Sequence, residues 1–420
     1  MEPDLMNFVD LATISRRSLQ RNKRRTFLTA VSVAFGVLLS ISFTASGDYS
    51  YTNMIDTSAT MGFGHITIES PNFNDTPSLA KSITHTDSMQ DLADEIPGID
   101  ASFTRIIGQA IFASGSKTVG GQFMAIDPAR EEKQYNFYLK YIEQGHLFSE
   151  SESGGIIVGA KLADKLNLRL KKKVVYTLTD KNGEIVSAVA RVSGIFRSGD
   201  DSIDGSTALL PLKKVRKILH YTENEASLIA LFIDDQRQAA TLASQAARIL
   251  NDNTIQVLTY KDTQKEIAGL IAMDRASNYF LQFLVGLLIA AGILNTILMS
   301  VMERTKEFGM MMAVGMSPNK IIAIVLIESF WIGFFGLILG AFITLPIYVY
   351  MNRIGLDLTS YIGTDYNAAG VLVDPVLKFF LFKESALVII AMIFAFTMAA
   401  GLYPAMRAGR INPVDSLKTM

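Results

Sequence analysis

Four apolar segments constrain this chain more than anything else in it. They are Thr26–Ser46, Ala276–Met302, Ile321–Met351 and Ser385–Met406. A helix needs about 20 mainly apolar residues to span a bilayer. All four reach that length without a charge at the centre. Charged residues are 19% of the chain and apolar ones 49%, against about 25% charged in an ordinary soluble protein. The apolar residues are clustered, so the chain is neither disordered, nor fibrous, nor one soluble globule. A cleaved signal peptide is the other reading of the first segment, which has a basic front and small residues at Thr44, Ala45 and Ser46. Its apolar run exceeds the usual core of about 7–15 residues, which favours a retained helix.

Lys and Arg placement sets the orientation. Arg16, Arg17, Arg21, Lys23, Arg24 and Arg25 precede the first segment, Arg304, Lys306 and Lys320 follow the second, and Arg407, Arg410 and Lys418 follow the fourth. The stretch Asn352–Glu384 has Arg353, Lys378 and Lys383 against four acids. Both termini therefore face the cytoplasm. The expected plan is a cytoplasmic amphipathic segment 1–25, a first span 26–46, an extracytoplasmic domain 47–274 and a second span 275–302. A cytoplasmic coupling loop 303–320, a third span 321–351, an outer loop 352–384, a fourth span 385–406 and a cytoplasmic tail 407–420 complete it. Asn7–Arg25 suits a surface helix with Phe8, Ala12 and Leu19 towards lipid.

The insertion 47–274 is soluble in character. Strand-like alternation marks His65–Glu69, Arg105–Phe112, Gly155–Val158, Val174–Leu178 and Val186–Ile195. Helical spacing marks Ser88–Ile96, Ala160–Leu166, Leu212–Leu219 and Gln236–Asp252. Asp180-Lys-Asn-Gly183 reads as a hairpin turn. The fold class is thus a membrane protein of four transmembrane α-helices with a large α+β domain inserted between helices one and two, of one or two subdomains. Thr259–Arg275 is helical in pattern and runs into the second span. Either the two form one rod of more than about 60 Å, or the rod breaks near Asp274.

Motifs for chemistry are absent from the sequence. The chain has no cysteine, which excludes disulfides, thiolate metal sites and a cysteine nucleophile. His65, His85, His146 and His220 show no metal-ligand spacing, and the expected metal set is none. A net charge of −1 offers no general case for nucleic acid. Asp200–Gly205 begins like a calcium loop, but its twelfth position is Pro211, so it reads as a solvated turn. Gly115-Ser-Lys-Thr118 lacks the upstream glycine of a phosphate loop. Lys171–Lys173 reads as a solvated turn between a helix and a strand. No catalytic residue or bound cofactor is expected, and any ATP and Mg would be held by another subunit.

Arg304–Gly315 (RTKEFGMMMAVG) is short, amphipathic and bracketed by charges. It suits docking into a groove on a partner, or is a plain connecting loop. Gly336 and Gly340 form a GxxxG pair that suits close helix packing, including a contact between two chains, and that also arises by chance. Asn295 and Glu328 are polar groups in or near spans. Such groups mark function by default, although Glu328 is preferably read as reaching the inner headgroups.

Taken together, the chain resembles the MacB/FtsX-like ABC transporter permease family, and in length and free-standing form its lipoprotein-releasing LolC/LolE branch. Ile14–Val37, Gly64–Thr67, Ala125–Pro128, Gly145–Phe148, Ile157–Leu166, Val192–Phe196 with Asp204, Leu209–Leu212, Glu303–Gly315 and Leu402–Leu417 carry the likeness. The resemblance implies two permease chains, the same or paralogous, bound to two ABC ATPase subunits. It implies that ATP-driven motion passes through a coupling helix to the outer domain, which is mechanotransmission. Matched position by position, Arg304, Glu307, Gly309, Met310, Ala313 and Gly315 are the implied ATPase-coupling residues. The chain departs from the family after Leu168, where many members have Gly-Asp and this one has Leu170-Lys-Lys-Lys.

The first functional expectation is an inner-membrane permease that extracts lipoproteins, with membrane lipids, lipoproteins and a periplasmic carrier or adaptor as partners. No carrier-binding hook is identifiable in the sequence. The alternatives are a MacB-like efflux permease, an FtsX-like regulator of cell-wall hydrolases, and a membrane sensor without ATPase. Absence of a fused ATPase favours the first, and the size of the outer domain disfavours the regulator.

Overall fold

The run around His65 becomes strand β1 (Ile66–Glu69) of a ten-stranded mixed sheet. The other strands are β2 (Ala101–Ser114), β3 (Lys117–Ile126), β4 (Ile142–Gly145), β5 (Gly155–Gly159), β6 (Lys173–Thr179), β7 (Ile185–Phe196), β8 (Thr207–Pro211), β9 (Leu228–Phe232) and β10 (Gln256–Thr259). Their order is β10-β1-β9-β2-β3-β8-β5-β7-β4, with β6 paired to β2 and β7. β3 runs parallel to β8 and β5 parallel to β7. The computed structural model describes residues 12–15, 17, 21, 23–149, 154–363, 367–368 and 371–411. The expected surface helix Asn7–Arg25 and the tail 407–420 therefore lie largely outside the described residues.

β8 (TALLP) and β9 (LIALF) are buried at every position. A strand with partners on both edges and cover on both faces reads as an apolar run without alternation, which is why the period-two pattern misses them. β6 keeps the alternation because one of its faces is open. The β6–β7 turn is the expected one: the Asp180 carboxylate accepts the N–H of Asn182 at 2.9 Å and of Glu184 at 2.8 Å. Gly115-Ser-Lys-Thr118 is the β2–β3 hairpin, where Ser114 pairs with Lys117. Asp200–Gly205 corrects the expectation of a solvated turn. Asp200 caps the short helix Asp201–Ser206, and Asp204 is buried, accepting from the N–H and Oγ of Ser198 at 2.9 and 2.7 Å.

The helices up to the second span include α1 (Lys23–Ser58), α2 (Thr86–Asp94), α3 (Ala160–Leu166), α4 (Leu212–Ile218) and α5 (Ala239–Leu250). α2 and α5 place Met89, Ala93, Leu242 and Ala246 against Ile66 and Ile68. α3 and α4 place Leu162, Leu166 and Val215 against Phe112, Phe123 and Tyr176. One sheet thus carries two main cores rather than two separate subdomains. Beside the Phe103–Phe232 ring pair the fully buried Arg105 guanidinium donates to the Gly62 and Tyr135 carbonyls, each at 2.9 Å, and pairs with Glu131.

The membrane unit contains α6 (Lys265–Glu303) from Met273 onward, α7 (Thr305–Ala313), α8 (Pro318–Arg353) and α9 (Lys383–Gly409). α1, α6, α8 and α9 are long and apolar enough to cross a membrane. α1 continues past Ser46 to Ser58 and closes with a π-helical turn, Ala59–Phe63. α6 is one helix of 39 residues, about 58 Å long. The interruption falls at Gln264 and not near Asp274.

Small residues set the helix spacing, as membrane bundles require when lipid offers no hydrophobic drive. A Cβ on Gly336 would sit 2.5 Å from the Val33 Cβ, and one on Gly340 2.7 Å from the Val37 Cβ. The GxxxG pair is therefore occupied within the chain, by α1, and is not free for a second copy. Gly36 meets Ile289 in the same way, and Gly401 meets Ser329. Gly336→Leu will force α1 and α8 apart, at about 1–3 kcal/mol for an overpacked site. Gly292→Ala, at a position with nothing within 4 Å, will leave the melting temperature in detergent unchanged or higher. Thermal melts of both variants check this.

Candidate coupling site

α6 ends at Glu303, and Arg304 turns the chain into α7. The turn is made from its own residues: Thr305 Oγ donates to the Met302 carbonyl at 2.8 Å. Arg304 is 5% exposed and satisfies its guanidinium internally. Its Nε donates to Glu307 at 3.1 Å and its Nη1 to Glu328 at 3.1 Å. The guanidinium also lies 4.8 Å from the centre of the buried Phe308 ring. Glu307 accepts a second cation, Arg21, at 2.6 Å. Arg25, in the first turn of α1, pairs with Glu303 at 2.9 Å and donates to the Thr296 carbonyl. Glu328 thus does not reach out to headgroups: it is 6% exposed, inside the bundle, facing a cation from the turn.

α7 consequently has two unlike faces. Arg304, Phe308 and Gly309 are buried against the chain, and Glu307 is half-buried. Met310 is 51% exposed and Val314 90% exposed, with Lys306, Ala313 and Gly315 on the same open side. Of the six expected residues, the structure brings Arg304, Glu307 and Gly309 into the internal cluster and leaves Met310, Ala313 and Gly315 outward. Gly315 ends the helix at φ +104°, with its N–H on the Met312 carbonyl and that of Met316 on Met311, both at 3.0 Å. A side chain there would be strained, so glycine is required. Arg21, Arg25 and Glu303 join this cluster from outside the six expected residues, and Glu328 joins it in place of the expected headgroups. The arginines look like an ordinary positive flank, and Glu328 lies far along the chain from Arg304. The one available signal was an acid at the entry of the third span with no cation nearby in sequence.

Burial pushes the Glu307 carboxyl up, but hydrogen bonds from Arg21 and Arg304 outweigh it and hold its pKa below the usual glutamate value. A depressed carboxyl contributes stability that is present above its unfolded pKa and lost as the pH falls through the folded one. Amide exchange of 305–313, corrected for intrinsic rate, will therefore stay level from pH 8 to 6. It will rise once the pH drops below the ordinary value of 4.5, and Glu307→Gln will remove that step. The buried pair makes a separate prediction. Removing one partner of a buried ion pair costs about 3–5 kcal/mol, while replacing both with apolar groups is often neutral. Arg304→Met will destabilise the chain strongly, and adding Glu328→Leu will restore most of the loss in a thermal melt.

The profile of the MacB-like periplasmic core domain matches residues 26–249, and that of the FtsX-like permease C-terminal matches residues 279–413. The first takes in α1 and nearly all of the sheet; the second takes in α7, α8, α9 and much of α6. An uncharacterized ABC transporter permease of Methanocaldococcus jannaschii is 23% identical over 431 aligned positions, covering 98% of both chains. The lipoprotein-releasing system transmembrane protein LolC of Neisseria meningitidis is 21% identical, over 76% of this chain and 78% of its own. The macrolide export ATP-binding/permease protein MacB of Neisseria gonorrhoeae is 22% identical, over 98% of this chain and 61% of its own. With one profile spanning more than half of its residues and the other most of the remainder, this multi-pass membrane protein belongs to the MacB/FtsX-like permease family.

Proposed function

We propose that this chain is the permease subunit of an ABC transporter, and that it couples ATP hydrolysis in the cytoplasm to work done by its sheet domain in the periplasm. The observation that carries this reading is the two-faced α7. Its inner face is pinned by Arg304, Glu307 and Phe308, while Met310, Ala313 and Val314 stand free. A helix held on one side and bare on the other suits docking into a partner's groove. The partner is an ABC ATPase, two copies per transporter, which binds the ATP and Mg. Motion of α7 then enters α6, with which it shares the Arg304 turn, and α6 is one unbroken helix. This is mechanotransmission: the cargo need not pass through the chain.

A second permease chain, a copy or a paralogue, completes the bundle. Asn295 is exposed in the apolar part of α6, one turn after the bare Gly292, and a polar side chain facing lipid alone is costly. The reading places the chain in the inner membrane and its work at lipid-anchored cargo. It would draw lipoproteins from the membrane and pass them to a periplasmic carrier on the way to the outer membrane. The likeness to LolC supports this. MacB-like efflux through an adaptor is the second reading, because the MacB likeness runs over 98% of the chain and that to LolC over 76%.

Met310→Glu puts a charge on the bare face without touching the inner cluster. It will leave the chain folded and reduce the co-purified ATPase by about tenfold or more, equivalent to some 1.4 kcal/mol. Unchanged recovery of the ATPase removes the docking claim. Crosslinking in cells followed by mass spectrometry separates the readings. Acylated lipoproteins or a soluble carrier beside the ATPase support lipoprotein release; an adaptor with an outer-membrane duct supports efflux.

A further inference from the structure

The sheet domain has a second feature that the coupling mechanism does not use. A cavity of about 560 Å³ opens where the Leu170–Lys173 turn meets β7. Its apolar wall includes Leu170 and Val189, 39% and 49% exposed. Val175, the cross-strand partner of Val189, continues the strip beside it. Lys171, Lys173 and Arg191 stand around this wall, and among the described residues no acidic side chain lines the cavity. Lys173 and Arg191 are register partners across the β6–β7 pair. Like charges directly opposite repel, and no described carboxylate forms an ion pair with Lys171, Lys173 or Arg191. Lys171 enters the site from a left-handed φ of 68°.

We propose that this cavity binds an anionic amphiphile, an alkyl chain ending in a phosphate or carboxylate. The chain lies on Leu170 and Val189, and Lys171, Lys173 and Arg191 hold the headgroup. Charge complementarity selects the anion, and the bare apolar wall selects the alkyl chain. An extended acidic peptide fits less well, because the backbone here is already paired. The N–H of Arg191 is on the Gly154 carbonyl at 2.7 Å, that of Val192 on Lys172 at 3.0 Å, and those of Lys171 and His146 are on the Val192 and Ser193 carbonyls at 2.7 and 3.0 Å. A strand would find no free ladder to join. The site goes beyond the permease reading, and its occupancy requires no ATPase.

The test uses the full chain in nanodiscs of phosphatidylcholine and a dodecyl phosphate carrying a photoreactive diazirine, with labelled peptides mapped by mass spectrometry. Label is expected on the segments 168–173 and 189–193. In the double variant Lys171→Glu, Arg191→Glu it will fall by about tenfold, while label in the membrane helices stays constant. Unlabelled dodecyl phosphate or dodecanoate will compete, and the better competitor identifies the headgroup. Equal labelling of the variant, equal competition by dodecyltrimethylammonium, or competition by an acidic apolar peptide alone would overturn the proposal.

Discussion

Arg304 is the residue on which the membrane unit turns. Its guanidinium meets acids from two directions, Glu307 one helix turn ahead and Glu328 on the next long helix. A buried charge left alone costs several kcal/mol, so neither acid can leave without a penalty. The interaction thereby fixes the angle at which α7 leaves α6 and the face it turns outward. Arg25, paired with Glu303, extends the same constraint to α1, and Arg21 just before that helix holds Glu307. The positive flank of the first span thus has a structural task beside the topological one.

Close helix packing supplies the other half of the bundle's definition. Gly336 and Gly340 admit Val33 and Val37, and Gly401 admits Ser329. Dispersion across such contacts depends on distance, so one added side chain reopens the interface. The sheet domain follows a different rule. Its apolar surface is buried between helices and strands, with the Arg105–Glu131 pair as a polar post inside. There a charge is kept in the core because aromatic rings, two carbonyls and a counter-ion receive it together.

How much of this was legible residue by residue depends on how local the cause is. The Asp180–Gly183 turn was legible because it is set by its own four residues. So were α3, over Ala160–Leu166, and the four spans, since length and hydropathy are read within one segment. The strands β8 and β9 were not, because TALLP and LIALF are near-continuous apolar runs with no polar residue alternating along them. The coupling loop was visible as a segment, but its six candidate residues looked equivalent. Only the fold divides them into Arg304, Glu307 and Gly309 on the inside and Met310, Ala313 and Gly315 on the outside.

The sequence by itself determined that four helices can cross a membrane and that an α+β domain is inserted after the first. It also determined that a short amphipathic segment follows the second, since each of these is written in consecutive residues. Tertiary structure alone decided that Glu328 pairs with Arg304, that the GxxxG face is filled by α1, and that three cations collect at one apolar hollow. Those outcomes join residues tens to hundreds of positions apart. Their free energies depend on burial and charge proximity, which have no value until the chain has folded.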